Sequence, residues 1–245
     1  MTPKRTLATT RRVLRQLKHD RRTIGLMFGL PTVLMGLLAW MVADQPGAFD
    51  HWGPPILGIF PLIIMFAVTS VATLRERTSG TLERILAMPI GRGDLLGGYV
   101  LAFGLLGIVQ AAFISAFAFW AFGMEIPGSP ALLAGVAIAD AILGTAMGLA
   151  ASAVSRTEFQ AVQMMPLLLF PQLFLCGLIV PLDAMPDALQ WIAHLVPMTY
   201  AITAADIAIA NVSITADYLA NMGVVLGFIV LALVLGGVTL RRRTP

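Results

Sequence analysis

Six runs of predominantly apolar residues punctuate the chain, at 24–43, 55–74, 95–122, 131–154, 161–180 and 221–240. An α-helix rises 1.5 Å per residue, so about 20 such residues cross the hydrocarbon core of a bilayer. Each run is bounded by charge, Pro or Gly, and none alternates in the manner of an outer-membrane barrel strand. Composition agrees: 58% of residues are hydrophobic, 12% are charged and the mean hydropathy is +0.86. Soluble domains are roughly 45–50% apolar and about 25% charged, so this chain has too little polar surface to cover a water-soluble fold. Disorder, collagen, a coiled coil and a nucleic-acid-binding domain are excluded on the same figures. The expected fold class is an all-α integral membrane protein, a single transmembrane domain over 1–245 with six spans. The third run is long enough to tilt or to project beyond the membrane.

The cations orient the bundle. Of the 16 Lys and Arg, eight precede the first run (Lys4, Arg5, Arg11, Arg12, Arg15, Lys18, Arg21 and Arg22). Four lie between runs two and three (Arg75, Arg77, Arg84 and Arg92), Arg156 lies between runs four and five, and Arg241, Arg242 and Arg243 end the chain. The alternate connections, 44–54, 123–130 and 181–220, hold no cation and carry Asp44, Asp50, Glu125, Asp183, Asp187, Asp206 and Asp217. By the positive-inside rule both termini are expected in the cytoplasm. The run after Arg22 is too long for a cleavable signal and is expected to remain as an anchor. Ahead of it, Leu7, Leu14 and Leu17 recur at helical spacing among basic residues. That pattern predicts a basic amphipathic helix on the cytoplasmic membrane surface, attracted to anionic lipid. A solvated basic arm that only enforces topology is the alternative.

The patterns of several chemistries are missing. No G-x-x-x-x-G-K-[ST] loop occurs, and Gly91-Arg92-Gly93-Asp94 lacks the lysine and the preceding strand. His19, His51 and His194 pair with no ligand at metal spacing, and the single cysteine, Cys176, permits neither an internal disulfide nor a thiolate cluster. No intramembrane serine-protease motif is present, so an enzyme is not expected.

Two segments between the runs are unusual. In the cytoplasmic loop 75–94, Thr78 or Ser79 can cap a short helix, Leu82, Ile85 and Leu86 share one face, and Pro89 closes it. About two turns are marginal alone, so the apolar face must bury, against lipid or against a soluble partner. On the other side, 181–220 is too apolar for an ordinary loop and too broken by Pro181, Pro186 and Pro197 to span. It predicts two short helices dipping into the outer leaflet, where broken backbone has to be covered by protein.

Arg75-Glu76-Arg77-Thr78-Ser79-Gly80-Thr81-Leu82-Glu83-Arg84, followed by Met88-Pro89-Ile90 and Asp94-Leu95-Leu96, resembles the loop after the second span in type 2 ABC exporter permeases. The outer segment through Tyr200 resembles the same family's signature region. Together with the basic start and six spans, the resemblance covers nearly the whole chain. Where the family often has Lys near the start of the third span this sequence has Tyr99, and where it commonly has Arg or Gln this sequence has Asp206. The resemblance implies the permease subunit of an ATP-driven exporter in a bacterial cell membrane. Two such subunits, identical or related, would enclose the pathway, and a separate ATPase subunit would bind the ATP and Mg, leaving no cofactor in this chain. The loop would be the coupling helix, with Leu82, Ile85 and Leu86 as apolar anchors and Arg75, Arg77, Glu83 and Arg84 as polar clamps. Cargo would be hydrophobic or amphipathic, such as a drug, antibiotic or lipid-linked compound, with polysaccharide as the nearest variant.

Asp140 stands about ten residues into the fourth run. An ionised Asp at a span centre costs about 2.5–3.5 kcal/mol on insertion scales, so it is expected to face protein or water. It either serves a cationic cargo or a gate, or is a structural carboxyl. An ion- or proton-coupled secondary transporter built on it is the rival function. Gly25-x-x-x-Gly29, Gly144-x-x-x-Gly148 and Gly223-x-x-x-Gly227 permit close helix contact, expected within the chain rather than at a dimer seam. Met164, Met165, Phe170 and Phe174 either face lipid or line a hydrophobic cargo site.

Overall fold

A computed structural model describes residues 2–79 and 91–239, and among these no strand occurs. α1 (Pro3–His19) and α2 (Arg21–Met41) meet at Asp20, whose side chain caps α2 by accepting from the Thr23 N–H at 3.2 Å and the Thr23 hydroxyl at 2.7 Å. There follow α3 (Ala48–Thr78), α4 (Arg92–Ala116) with a π turn over Phe117–Ala121, and α5 (Pro130–Val154). α6 (Glu158–Leu175), α7 (Asp187–Ala193), α8 (Pro197–Ala210) and α9 (Ala216–Thr239) complete the chain.

Among the described residues five helices are long and apolar enough to cross a membrane: Arg21–Met41, Ala48–Thr78, Gly93–Ala121, Pro130–Val154 and Ala216–Gly237. A sixth is reached if α7 and α8, bent by 88°, count as one span. The chain is a multi-pass membrane protein. The expected fifth run is also helical, but over Glu158–Leu175 rather than 161–180. Its 18 residues include Pro166, Pro171, Gln160, Gln163 and Gln172. At 1.5 Å per residue it reaches about 27 Å, short of the hydrocarbon thickness.

α5 is the central element, packed on α3, α9, α4 and α8. Its contact with α3 depends on two missing side chains. A Cβ at Gly144 would stand 2.2 Å from the Leu62 carbonyl oxygen, and one at Gly148 would stand 2.6 Å from that of Phe66. This pair of glycines packs inside the chain as expected. The other two pairs do not: a Cβ at Gly25, Gly29, Gly223 or Gly227 would meet nothing within 4 Å. Those helices turn their small residues outward, because α2 and α9 lie at the periphery with most of their apolar side chains exposed.

α3 is longer than its apolar run predicts. Its 31 residues extend about 46 Å, so the last turns project past the hydrocarbon core. Arg75, Glu76 and Arg77, expected in the loop, therefore sit on the end of a rigid helix. All four Trp gather at the opposite end of the bundle: Trp40 ends α2, Trp52 starts α3, Trp120 lies in the π turn and Trp191 in α7. Each is exposed, and exposed Trp at one level is the mark of a membrane–water interface.

α1 is a helix, but not with its leucines buried together. It lays Thr9, Thr10, Val13 and Leu17 on α4, while Leu7 is 66% exposed and Leu14 is only partly covered. The threonines are inside because Gly98 lets the backbones close. A Cβ at Gly98 would fall 2.5 Å from Thr9, and the Thr10 hydroxyl donates to the Gly98 carbonyl at 3.3 Å.

Candidate coupling and pathway sites

Three consecutive residues at the projecting end of α3 reach four different helices. Glu76 takes a two-pronged ion pair from Arg12 of α1, with Nη1–Oε1 and Nη2–Oε2 both 3.0 Å. The Tyr99 hydroxyl of α4 donates to Glu76 Oε2. Arg75 grips Glu158 at the start of α6, with Nε–Oε1 at 3.0 Å and Nη2–Oε2 at 3.1 Å. Arg77 donates to the Ser152 carbonyl near the end of α5. A helix presents successive residues about 100° apart, so one projecting turn can fan out in this way.

The two ion pairs differ in environment. Glu76 is 13% exposed and Arg12 30%, whereas Arg75 and Glu158 are 61% and 46% exposed. The first is partly desolvated and held further by Tyr99, which is buried; the second is a surface pair in high dielectric. Hydrogen bonds from Arg75 nevertheless hold the Glu158 carboxyl below the usual carboxylate range. The Thr23 hydroxyl, and then the Thr23 backbone N–H, do the same for Asp20. Asp94, at the start of α4, accepts from the Thr2 N–H at 2.7 Å and from the Gly91 N–H at 3.3 Å, fastening the front of α1 beside this hub.

Of the coupling residues expected from sequence, Arg75, Glu76 and Arg77 thus bond within the chain. Gly80, Thr81, Leu82, Glu83, Arg84, Ile85 and Leu86 lie outside the described residues. Arg12, Tyr99, Ser152 and Glu158 were not legible as members of the site. Ser152 and Glu158 are signalled only as polar residues at the ends of apolar runs, Tyr99 only as a departure from the family's Lys, and Arg12 is one cation among eight in the N-terminal segment.

Asp140 faces protein, as its insertion cost demands. It is 2% exposed, on the α5 face that meets α3, and its Oδ1 has no hydrogen-bond partner among the described residues. Gly58 of α3 makes room for it: a Cβ there would stand 3.3 Å from Asp140 Oδ2. The α6 residues point elsewhere. Phe170 and Phe174 are exposed, whereas Met164 and Met165 are half-buried and Met165 packs on the central core. The structure does not bring Asp140 and these two phenylalanines to one surface.

In the segment 181–220 each expected proline starts a piece of structure. Pro181 precedes the 3-10 turn Leu182–Ala184, Pro186 caps α7 and Pro197 opens α8. Pro197 holds Val196 extended, which ends α7 and turns the chain. Side chains of α8 then bond the carbonyls at the end of α7, of which that of Ala193 also accepts from the Val196 N–H at 3.3 Å. Thr199 donates to the Ala193 oxygen at 2.7 Å and Tyr200 to the His194 oxygen at 2.9 Å. The 88° bend is therefore a bonded corner.

A multi-pass helical bundle with a projecting second span, a polar hub at its tip and a broken helix pair at the far end matches one family across most of its length. The family profile described as ABC-2 type transporter covers residues 4–210, and the chain belongs to that family. Among curated relatives, the linearmycin resistance permease protein LnrN of Bacillus subtilis (strain 168) is 27% identical over 186 residues, 75% of this chain and 48% of that protein. The probable multidrug ABC transporter permease YbhR of Escherichia coli (strain K12) is 26% identical over 147 residues, 60% of this chain and 40% of that protein. ABC transporter G family member 20 of Dictyostelium discoideum is 29% identical over 152 residues, 62% of this chain and 21% of that protein. The aligned part thus spans half or less of each of these relatives.

Proposed function

We propose that this chain is the permease subunit of an ATP-driven exporter that moves hydrophobic or amphipathic compounds outward across the cell membrane. A separate ATPase subunit binds ATP and Mg and docks on the loop 80–90, with Leu82, Ile85 and Leu86 as its apolar contacts. A second permease subunit, identical or related, completes the pathway. The observation that carries the reading is the fan at the tip of α3. Force applied to the loop reaches α1 through Glu76, α6 through Arg75 and α5 through Arg77, so docking and release move the bundle as connected helices. Family membership and the names of LnrN and YbhR support permease function and antibiotic-like cargo. The confinement of all 16 Lys and Arg to the termini and to the connections on the same side supports cytoplasmic termini.

The test is accumulation of a panel of amphipathic antibiotics in cells lacking the gene. Deletion raises accumulation of at least one compound, wild type restores export, and the Leu82→Asp, Leu86→Asp double variant does not. Unchanged accumulation across the panel contradicts the exporter reading.

A further inference from the structure

We propose that Arg11, Arg15 and His19 on the outward stripe of α1 seat the phosphate of an anionic phospholipid. A shallow, largely open surface cleft is lined by Ala8, Arg11, Arg12, Arg15, Gln16 and His19, residues that recur every three or four positions along one side of the helix. The opposite side is committed to α4 through Thr9, Thr10, Val13 and Leu17. Within the cleft Arg12 is taken by Glu76 and by Gln16, whose Oε1 accepts from its Nη1 at 3.1 Å. Arg11 and Arg15 make no ion pair among the described residues. His19 donates from Nδ1 to the Arg15 carbonyl at 2.7 Å, which fixes its ring and turns Nε2 away from that bond. Two planar guanidinium forks one turn apart are matched to a phosphate, which they can hold with paired hydrogen bonds.

Place and flank decide the source of the phosphate. Only Asp20 separates α1 from the first membrane-spanning helix, so His19 stands two residues before the span begins at Arg21. Leu7, 66% exposed, and Leu14, partly exposed, lie seven residues apart on the flank between the buried face and the cations. An acidic protein surface gives these leucines nothing apolar to meet. The headgroup–acyl boundary gives them hydrocarbon and gives the arginines phosphate at the same depth.

The test uses the purified full chain in an uncharged detergent, with thermal unfolding followed by tryptophan fluorescence during titration with phosphatidylglycerol, phosphatidylcholine or inorganic phosphate. Phosphatidylglycerol raises the melting temperature of wild type and the other two do not. In the Arg11→Ala, Arg15→Ala variant the apparent affinity for phosphatidylglycerol falls about 30-fold. A variant with Arg241 and Arg242 both changed to Ala removes the same charge elsewhere and keeps the affinity. Should the Arg11→Ala, Arg15→Ala variant fail to fold, Arg11→Lys, Arg15→Lys keeps the charge without the forks and still binds more weakly than wild type. Equal affinity in the cleft variants and wild type overturns the proposal, as does equal stabilisation by phosphatidylcholine. Inorganic phosphate acting as well as lipid replaces it with a free-anion site. An unchanged lipid response with loss of a bound protein partner assigns the stripe to an acidic protein surface and overturns it too.

Discussion

Changing Glu76 to Gln keeps the shape of the α3 tip and removes the charge that holds Arg12 and Tyr99 together. The cost follows from exposure. A fully exposed ion pair contributes about 0–1 kcal/mol, and breaking a fully buried one costs about 3–5 kcal/mol because the remaining charge is stranded. With Glu76 at 13% and Arg12 at 30% exposure, the pair lies between, at about 2 kcal/mol. Arg75–Glu158, at 61% and 46%, belongs at the surface limit, so Glu158→Gln costs about 0.5 kcal/mol or less. For a chain of this size 1 kcal/mol moves the melting temperature by about 2–4 °C, giving about 4–8 °C for Glu76→Gln and about 2 °C or less for Glu158→Gln. Thermal unfolding in detergent reads both, and gel filtration at low temperature confirms that each variant is folded at the start. A double-mutant cycle of Arg12→Ala with Glu76→Ala isolates the pair itself. Equal shifts in the two single variants, or a coupling near zero, would refute the reasoning that burial at the hub sets its strength.

Gly144→Leu places side-chain carbon where the Leu62 carbonyl now stands, so it separates α3 from α5 and abolishes a monodisperse folded peak, whereas Gly25→Leu in open space leaves that peak unchanged. Thr199→Val removes one of the two donors to the Ala193 carbonyl, which keeps the Val196 N–H, and costs about 0.5–1.5 kcal/mol in thermal unfolding, more than Tyr200→Phe, whose hydroxyl bond to His194 is exposed. Asp20 has its folded pKa lowered by Thr23, so its contribution is present above the ordinary carboxylate range and is lost as pH falls through the lower, folded value. Thr23→Val moves that acid loss to higher pH, which melting temperatures between about pH 5 and pH 2 detect.

Much of the architecture could be read from the chain because it rests on local, one-dimensional quantities. The apolar runs, the prolines that punctuate 181–220 and the glycines of α5 all act where they stand in sequence. What escaped depended on pairs far apart. α1 was legible as a helix, but its buried face was not, because Thr9 and Thr10 go inside only where Gly98 admits them. The hub joins positions 12, 76 and 99 across three helices, and no spacing rule relates them. The length of α3 was hidden because Arg75, Glu76 and Arg77 end the apolar run without ending the helix. α6 ended early for the opposite reason: the run continues to 180 in hydropathy, but Gly177, at φ 92°, turns the chain away.

Coupling to an ATPase through the loop beyond α3 is the central claim, and co-purification tests it most directly. The chain is extracted in mild detergent from its own cells, as wild type and as the Leu82→Asp, Leu86→Asp variant, and its bound proteins are identified by mass. The account predicts an ATPase subunit bound to wild type and absent from a variant that still elutes as a folded membrane protein. An ATPase retained equally by both, or bound to neither, would contradict it.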